Sequence, residues 1–181
     1  MPASDCFVSV DVETSGPSPS RHALLSIGAC LVESPDDGFY AELKPGDAER
    51  LPEAMAVSGL DAVRLEREGL APAAAFAAFA AWLDAVVPKQ ARPVFVGFNA
   101  CFDWLWICDG FHRHLGRNPF GHAALDIKAL YMGRTGSAWS ETGFTAVAAH
   151  VGLLIDALPH HALDDARLQA RVFRALLDKP I

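Results

Sequence analysis

Residues 6–13 read Cys-Phe-Val-Ser-Val-Asp-Val-Glu. Val8, Val10 and Val12 are β-branched and recur at every second position, which predicts a strand. Asp11 and Glu13 stand two apart near its end and therefore project to one face. The turn chemistry of Thr14-Ser15-Gly16-Pro17-Ser18-Pro19 ends it. A lone Asp-x-Glu at a strand end is ordinarily a strand turning toward solvent. A functional reading needs partners from elsewhere in the chain.

Further along, Leu24 to Val32 (LLSIGACLV) is a continuous apolar run and predicts a central strand. Ser34 to Gly38 reads as a turn and Phe39 to Leu43 as a third strand, so the first three strands form an antiparallel meander. Pro45 to Pro52 reads as loop. Pro72 to Val87 predicts a helix, with Phe76, Phe79, Leu83 and Val87 on one face and proline near the first turn. Pro93 to Phe98 predicts a fourth strand, Phe102 to Leu115 a helix, and Leu125 to Lys128 a short fifth strand. Phe144 to Val151 is a short helix closed by Gly152. Ala162 to Leu177 is a last helix, with Leu163, Ala166, Ala170, Phe173 and Leu177 as its stripe. Three strands followed by alternating helix and strand define an α/β fold with a mixed sheet.

The chain has 181 residues, a length suited to one domain with a core of its own. With 22 acidic against 15 basic residues its formal charge is -7. That argues against a protein that coats long nucleic acid through a basic footprint. It leaves room for an enzyme whose metal ions supply the positive charge. Cys6, Cys30, Cys101 and Cys108 form no close cluster, and no signal-peptide pattern opens the chain, so a reduced, cytoplasmic protein is expected. The alanine-rich stretch from Leu70 to Val87 contains Asp84 and Pro72. It falls short of the about 20 strongly apolar residues that a membrane span needs.

Two further places hold informative carboxylates. Asp103 follows the fourth strand through Asn99-Ala100-Cys101, where a helix N-cap would be its ordinary role. His160-His161-Ala162-Leu163-Asp164-Asp165 opens the last helix, where an exposed histidine pair and an acidic first turn are the ordinary roles. Together these groups change the balance. Sequence-distant carboxylates meeting at one point are what hard divalent cations require. Two such ions can hold the attacking and leaving oxygens of an in-line phosphoryl displacement. A nearby imidazole is suited to take a proton from the attacking water.

In this order, Asp11-Val12-Glu13-Thr14-Ser15-Gly16, Gly97-Phe98-Asn99-Ala100-Cys101-Phe102-Asp103 and His160 to Ala166 resemble the three motifs of the DEDDh 3′→5′ exonucleases. The resemblance spans roughly residues 6–178. It implies a ribonuclease-H-like mixed five-stranded sheet, antiparallel in strands 1–3 and parallel in strands 4–5, flanked by helices. Residues 1–181 would then be a single exonuclease domain. It also implies two Mg²⁺ or Mn²⁺ ions and release of nucleoside 5′-monophosphates from single-stranded DNA or RNA 3′ ends. By the same resemblance Asp11 would bridge both metals, Glu13 and Asp165 would complete one site, and Asp103 would act mainly through water. His160, rather than His161, stands in the general-base register, and Asp164 falls one residue off the ligand register. Thr14, Ser15, Gly16, Asn99 and Phe102 would contact substrate, and residues 51–60 would flank it. A homodimer is compatible with this reading. Where many members carry glutamate before Ile-Gly, this chain has Ser26, which removes a sugar or base contact but no metal ligand. The competing class is a non-catalytic module that binds nucleic-acid ends or a polymerase. A phosphodiesterase for short oligonucleotides or dinucleotides is a third reading.

The remaining candidates carry less. Cys108, His112 and His114 have zinc-like spacing but no fourth ligand. Asp126 reads as structural. Trp104 and Trp106 read as helix core, although either could stack on a base. Trp139 and Arg134, on the loop from Gly133 to Gly143, are open to substrate contact.

Overall fold

A computed structural model describes residues 4–155 and 158–179. Its centre is a five-stranded sheet in the order β3-β2-β1-β4-β5. The strands are β1 (Ser4–Thr14), β2 (Leu24–Leu31), β3 (Ser34–Glu42), β4 (Ala91–Gly97) and β5 (Ala124–Asp126). The first three pair antiparallel, and β4 and β5 continue parallel to β1. This is the expected topology.

Helices cover both faces. Between β3 and β4 lie α1 (Pro52–Ser58), α2 (Ala62–Glu68) and α3 (Pro72–Val86); α4 (Cys101–Leu115) links β4 to β5. After β5 come α5 (Ile127–Thr135), α6 (Phe144–His150) and α7 (Ala162–Asp178). No described helix is long and apolar enough to cross a membrane.

The alternation in β1 assigns the two faces. Val8, Val10 and Val12 join Ile27 and Ala29 of β2 under α3 and α4, in a core that holds Phe76, Phe79 and Phe111. On the opposite face Cys30 and Val96 pack against Ala166, Ala170, Phe173 and Leu176 of α7. Asp11, Glu13, Gly28, Ser26, Tyr40 and Glu42 share that α7 face, because Asp11 pairs with Gly28, which pairs with Tyr40, and Glu13 pairs with Ser26, which pairs with Glu42. Gly28 lets the start of α7 lie directly on the sheet. A Cβ there would come within 2.1 Å of the Ala162 carbonyl carbon.

Several local expectations are corrected. The β2–β3 turn sits at Val32–Glu33, so Ser34 to Gly38 is already strand. Val32 opens the turn although its N–H still donates to the Phe7 carbonyl, in line with the β1–β2 register. Helices α1 and α2 had no counterpart in the expectation. Each is seven residues, too short to show an apolar period, and α2 starts on an Asp61 cap whose side chain accepts from Val63 and Arg64. Lys128 belongs to α5 rather than β5, because Asp126 caps that helix and ends the strand. In α7, Leu176 occupies the core while Leu177 lies at the rim.

Candidate active site

The site forms where β1, the start of α4 and the start of α7 converge, at the carboxyl ends of the parallel strands. This is the usual place for ligands on an open α/β sheet. The recorded β1–β4 pairing runs only as far as Ser9 and Val96. Beyond that point the first turn of α4 borders β1. Asp103, third residue of α4, accepts a 3.0 Å hydrogen bond from the Val12 backbone N–H. The carboxylate is therefore aimed at β1 and does not act as the N-cap, a position held by Ala100 without any side-chain bond.

The chain enters α4 through Asn99, whose φ of 60° is left-handed. Asparagine tolerates that region better than most residues. Its carbonyl accepts from Phe102 N–H at 3.1 Å, and its side chain faces solvent. Asp126 braces the same junction from below, accepting from Ala100, Lys128 and Ala129 N–H groups. This is the structural role expected of it.

On the α7 side, Glu13, His160 and Asp165 bring one ligand atom each to within 4.8 Å of one another. Among the described residues this is the only such group of three. His160 has a φ of 55°, an uncommon conformation for a residue with a Cβ. Such strain persists only where the surroundings hold it, and it clusters at functional sites. His161 is directed elsewhere. Its ring stacks on Tyr40 with centroids 4.5 Å apart, and its Nδ1 lies 3.1 Å from Asp164. Asp164 is exposed and also pairs with Arg167. The geometry thus places His160 and Asp165 with Glu13, and turns His161 and Asp164 toward each other.

Gln169 was not among the predicted residues. It is fully buried on α7 one turn after Asp165. Its Nε2 donates to Asp11 Oδ1 at 2.6 Å, and its Oε1 accepts from Phe98 N–H at 2.9 Å. It ties β1, the β4 end and α7 together through one side chain. The available signal was a polar residue four positions beyond Asp165, in register with the apolar stripe.

The carboxylates lie close enough, and are sufficiently withdrawn from solvent, to repel one another. Burial, then the charges of Asp103, Asp165 and Glu13, hold Asp11 well above the usual carboxylate range, against the opposing bond from Gln169. Burial raises Asp103 to about 8, opposed by the Val12 N–H. Burial and then Asp165 raise Glu13 to about 7. Burial raises Asp165 to about 6, opposed by His160. Asp165 Oδ1 is buried with no hydrogen-bond partner. A buried, unsatisfied carboxylate oxygen among like charges is costly unless a cation meets it. The oxygen-rich donor set and this orphaned atom fit a hard divalent ion.

Beside the carboxylates lies a largely apolar groove of about 370 Å³, lined by Glu13, Thr14, Gly16, Leu51, Val57 and Phe102 among others. Gly16 is required by a close approach, since a Cβ there would sit 2.2 Å from the His22 ring. Ser15 is buried behind the groove. Its hydroxyl donates to the Glu49 carbonyl at 2.6 Å and accepts from Ala23 N–H at 2.8 Å, holding the loop.

The other candidates fall outside the site. Trp106 is core, and Trp104 packs edge-on against Phe95. His114 stacks on Phe76, and Cys108, His112 and His114 form no metal-like group among the described residues. Arg134 donates to the Lys179 carbonyl at the far end of α7.

This fold and this set of carboxylates with histidine define a DEDDh-type 3′-5′ exonuclease. The chain belongs to the family of the Rv2179c-like 3′-5′ exoribonuclease domain, whose model matches residues 6–177. It is 47% identical over 175 residues to the 3′-5′ DNA exonuclease Cap18 of Escherichia coli, covering 97% of this chain and 92% of that protein. It is 29% identical to ribonuclease T of Yersinia pestis, over 95% of this chain and 84% of that one. Among solved structures, the nuclease domain of 3′hExo, a DEDDh family member bound to rAMP, superimposes with a TM-score of 0.79 at 16% identity. That match covers 97% of this chain and 93% of that one. E. coli exonuclease I in complex with a dT13 oligonucleotide gives a TM-score of 0.70 at 20% identity, over 96% of this chain and 40% of that one.

Proposed function

We propose that residues 1–181 act as one exonuclease domain that shortens single strands from the 3′ end and releases nucleoside 5′-monophosphates. The observation that carries this reading is the meeting of Glu13, His160 and Asp165 within 4.8 Å, with a buried oxygen of Asp165 left unpartnered and Asp11 held beside them, under the influence of the charges of Asp103, Asp165 and Glu13. DNA is the favoured strand, because the DNA exonuclease Cap18 is 47% identical to this chain along nearly its whole length.

Asp11, Glu13, Asp103 and Asp165 would hold two Mg²⁺ or Mn²⁺ ions, Asp103 mainly through water. When bound, such ions neutralise the scissile phosphate, bring a water onto it and stabilise the departing 3′ oxygen. The protein supplies the rest. Gln169 fixes the Asp11 carboxylate, and the Val12 N–H fixes that of Asp103. His160, beside Glu13 and Asp165, would take a proton from the attacking water as the new oxygen–phosphorus bond forms. The phosphorus–O3′ bond breaks, and the proton that completes the 3′-hydroxyl comes from solvent. The groove beside Glu13 receives the terminal nucleoside, with Phe102, Leu51 and Val57 against its base and Thr14 and Gly16 at its sugar.

Purified full-length chain should shorten a 5′-labelled single-stranded DNA oligomer in Mg²⁺ or Mn²⁺, one nucleotide at a time, with 5′-monophosphates as products. EDTA should stop it. Failure to shorten any DNA or RNA oligomer with either metal would overturn the reading.

A further inference from the structure

The sheet edge that carries the carboxylates continues toward β5, and there the structure holds an unassigned cationic and aromatic patch. Lys128 follows the end of β5. Its Nζ lies 4.3 Å from the Trp139 ring centroid and 5.9 Å from that of Phe98. Trp139 is 50% exposed, unusual for so large an apolar ring. Its turn, Trp139–Glu141, is nonetheless well braced. Thr142, fully buried, donates from Oγ1 to the Trp139 carbonyl at 2.7 Å, and Glu141 accepts from Ala138 N–H at 3.0 Å. The indole is thus displayed on a rigid support.

The patch is wired to the catalytic carboxylates. Phe98 packs edge-on against Phe144 and donates its backbone N–H to Gln169, the residue that also holds Asp11. The groove for the terminal nucleoside draws on the β1 end and α1, whereas this patch draws on the β4 and β5 ends. Charge points the same way. Most arginines that surround the acidic surface are bound to carboxylates, including Arg21, Arg64, Arg113 and Arg174. Among the described residues Lys128 has no carboxylate within ion-pair distance, so its charge is held over the aromatic rings.

We propose that Lys128 and Trp139 form the subsite for the nucleotide on the 5′ side of the scissile phosphate, with its base stacked on Trp139 and a backbone phosphate met by Lys128. This deepens the exonuclease reading and rests on it. Stacking on an exposed indole tolerates every base, as a processive digest of mixed sequence requires, and it survives on a protein of net charge -7 because it needs only one local cation.

The test compares two substrates of the full-length chain in Mn²⁺. One is a single-stranded DNA hexamer. The other is the p-nitrophenyl ester of thymidine 5′-monophosphate, which has no nucleotide on that side. Trp139→Ala should lower the ratio of hexamer to ester kcat/KM by about 5- to 50-fold, chiefly through KM, and Trp139→Phe by about threefold or less. Lys128→Ala should lower the ratio by about 3- to 10-fold and flatten the salt dependence of the hexamer KM. An equal loss on both substrates, or a ratio within about twofold of the parent, would overturn the proposal. Should the parent hydrolyse neither substrate, the exonuclease reading fails by itself. The subsite is then decided by fluorescence anisotropy of a labelled hexamer in Ca²⁺. Weaker binding by Trp139→Ala upholds the subsite, and unchanged binding overturns it.

Discussion

The two faces of the sheet are built by the same strands and solve opposite problems. On the α3–α4 face, β1 contributes Val8, Val10 and Val12 to a core of stacked rings. Phe79 lies there fully buried, with ring centroids 4.9 Å from Phe39 and 5.5 Å from Phe111. On the α7 face the alternate residues of the same strand are Ser9, Asp11 and Glu13, and α7 answers them with Asp165 and Gln169. The first face is core from Val8 to Val12. The α7 face has a core of its own around Phe173, yet at the end of β1 it concentrates like charges at a cost that the apolar packing must cover. A single strand with period two can serve both because neighbours never share a side. Site and core are thus separable by mutation although they lie one peptide apart.

The largest expected contrast comes from changing one residue on each face. Asp11→Asn should reduce exonuclease activity on the order of a thousandfold or more if, as proposed, that carboxylate holds the metal ions. The same change should leave metal-free thermal stability equal or higher, because one of four mutually repelling groups is discharged. Phe79→Ala should do the reverse. It should cost about 3–5 kcal/mol in denaturant unfolding, while the fraction that stays folded keeps its turnover. A fall in the stability of Asp11→Asn comparable to that of Phe79→Ala would show that the faces are not separable.

A finer contrast lies within one face, between neighbouring histidines. His160→Ala should lower kcat by about 10²-fold or more while leaving Mn²⁺ binding largely in place. His161→Ala removes only the stack on Tyr40 and the contact with Asp164, both away from Glu13 and Asp165. Its effect should stay within about threefold in kcat. A larger loss for His161 than for His160, in the same single-turnover assay, would reverse the assignment.

The legibility of the molecule follows the same division. The sheet was readable because β1, β2 and β4 are apolar runs bounded by turn chemistry, and the carboxylates stood out because they interrupt such runs. The start of α7 was readable because Asp164 and Asp165 differ by one helical position, which turns one side chain inward and the other to solvent. What escaped were features that depend on tertiary partners. Helices α1 and α2 are two turns each and gain their place by packing, with Leu65 of α2 buried against Ala23 and Leu25. Gln169 looked like an ordinary helix residue until the fold set Asp11 and Phe98 N–H on either side of it. Ser15 stood inside the first motif, yet its hydroxyl is used to hold the loop to Glu49 and Ala23. Arg134 and Trp139 are neighbours in sequence, but Arg134 donates to the Lys179 carbonyl whereas Trp139 lies against Lys128.

The smallest expected effect is also the most direct measure of what the polar face costs. A carboxylate whose pKa is higher in the fold than in the unfolded chain binds its proton more tightly when folded. As pH rises from the ordinary carboxylate range of about 4, the unfolded chain gives up those protons first, so the fold loses stability. The loss should run until Asp165, Glu13 and Asp103 have ionised, at about 6, about 7 and about 8. In EDTA the melting temperature should therefore fall by several degrees between about pH 5 and about pH 8. Saturating Mg²⁺ or Mn²⁺ should restore more of it at the higher pH than at the lower, since cation and proton compete for the same oxygens. Asp11→Asn should flatten the EDTA profile, whereas Phe79→Ala should lower it in parallel. A melting temperature that rises with pH in EDTA, or a metal effect that is greatest in acid, would mean that the four carboxylates are not coupled as their burial and spacing require.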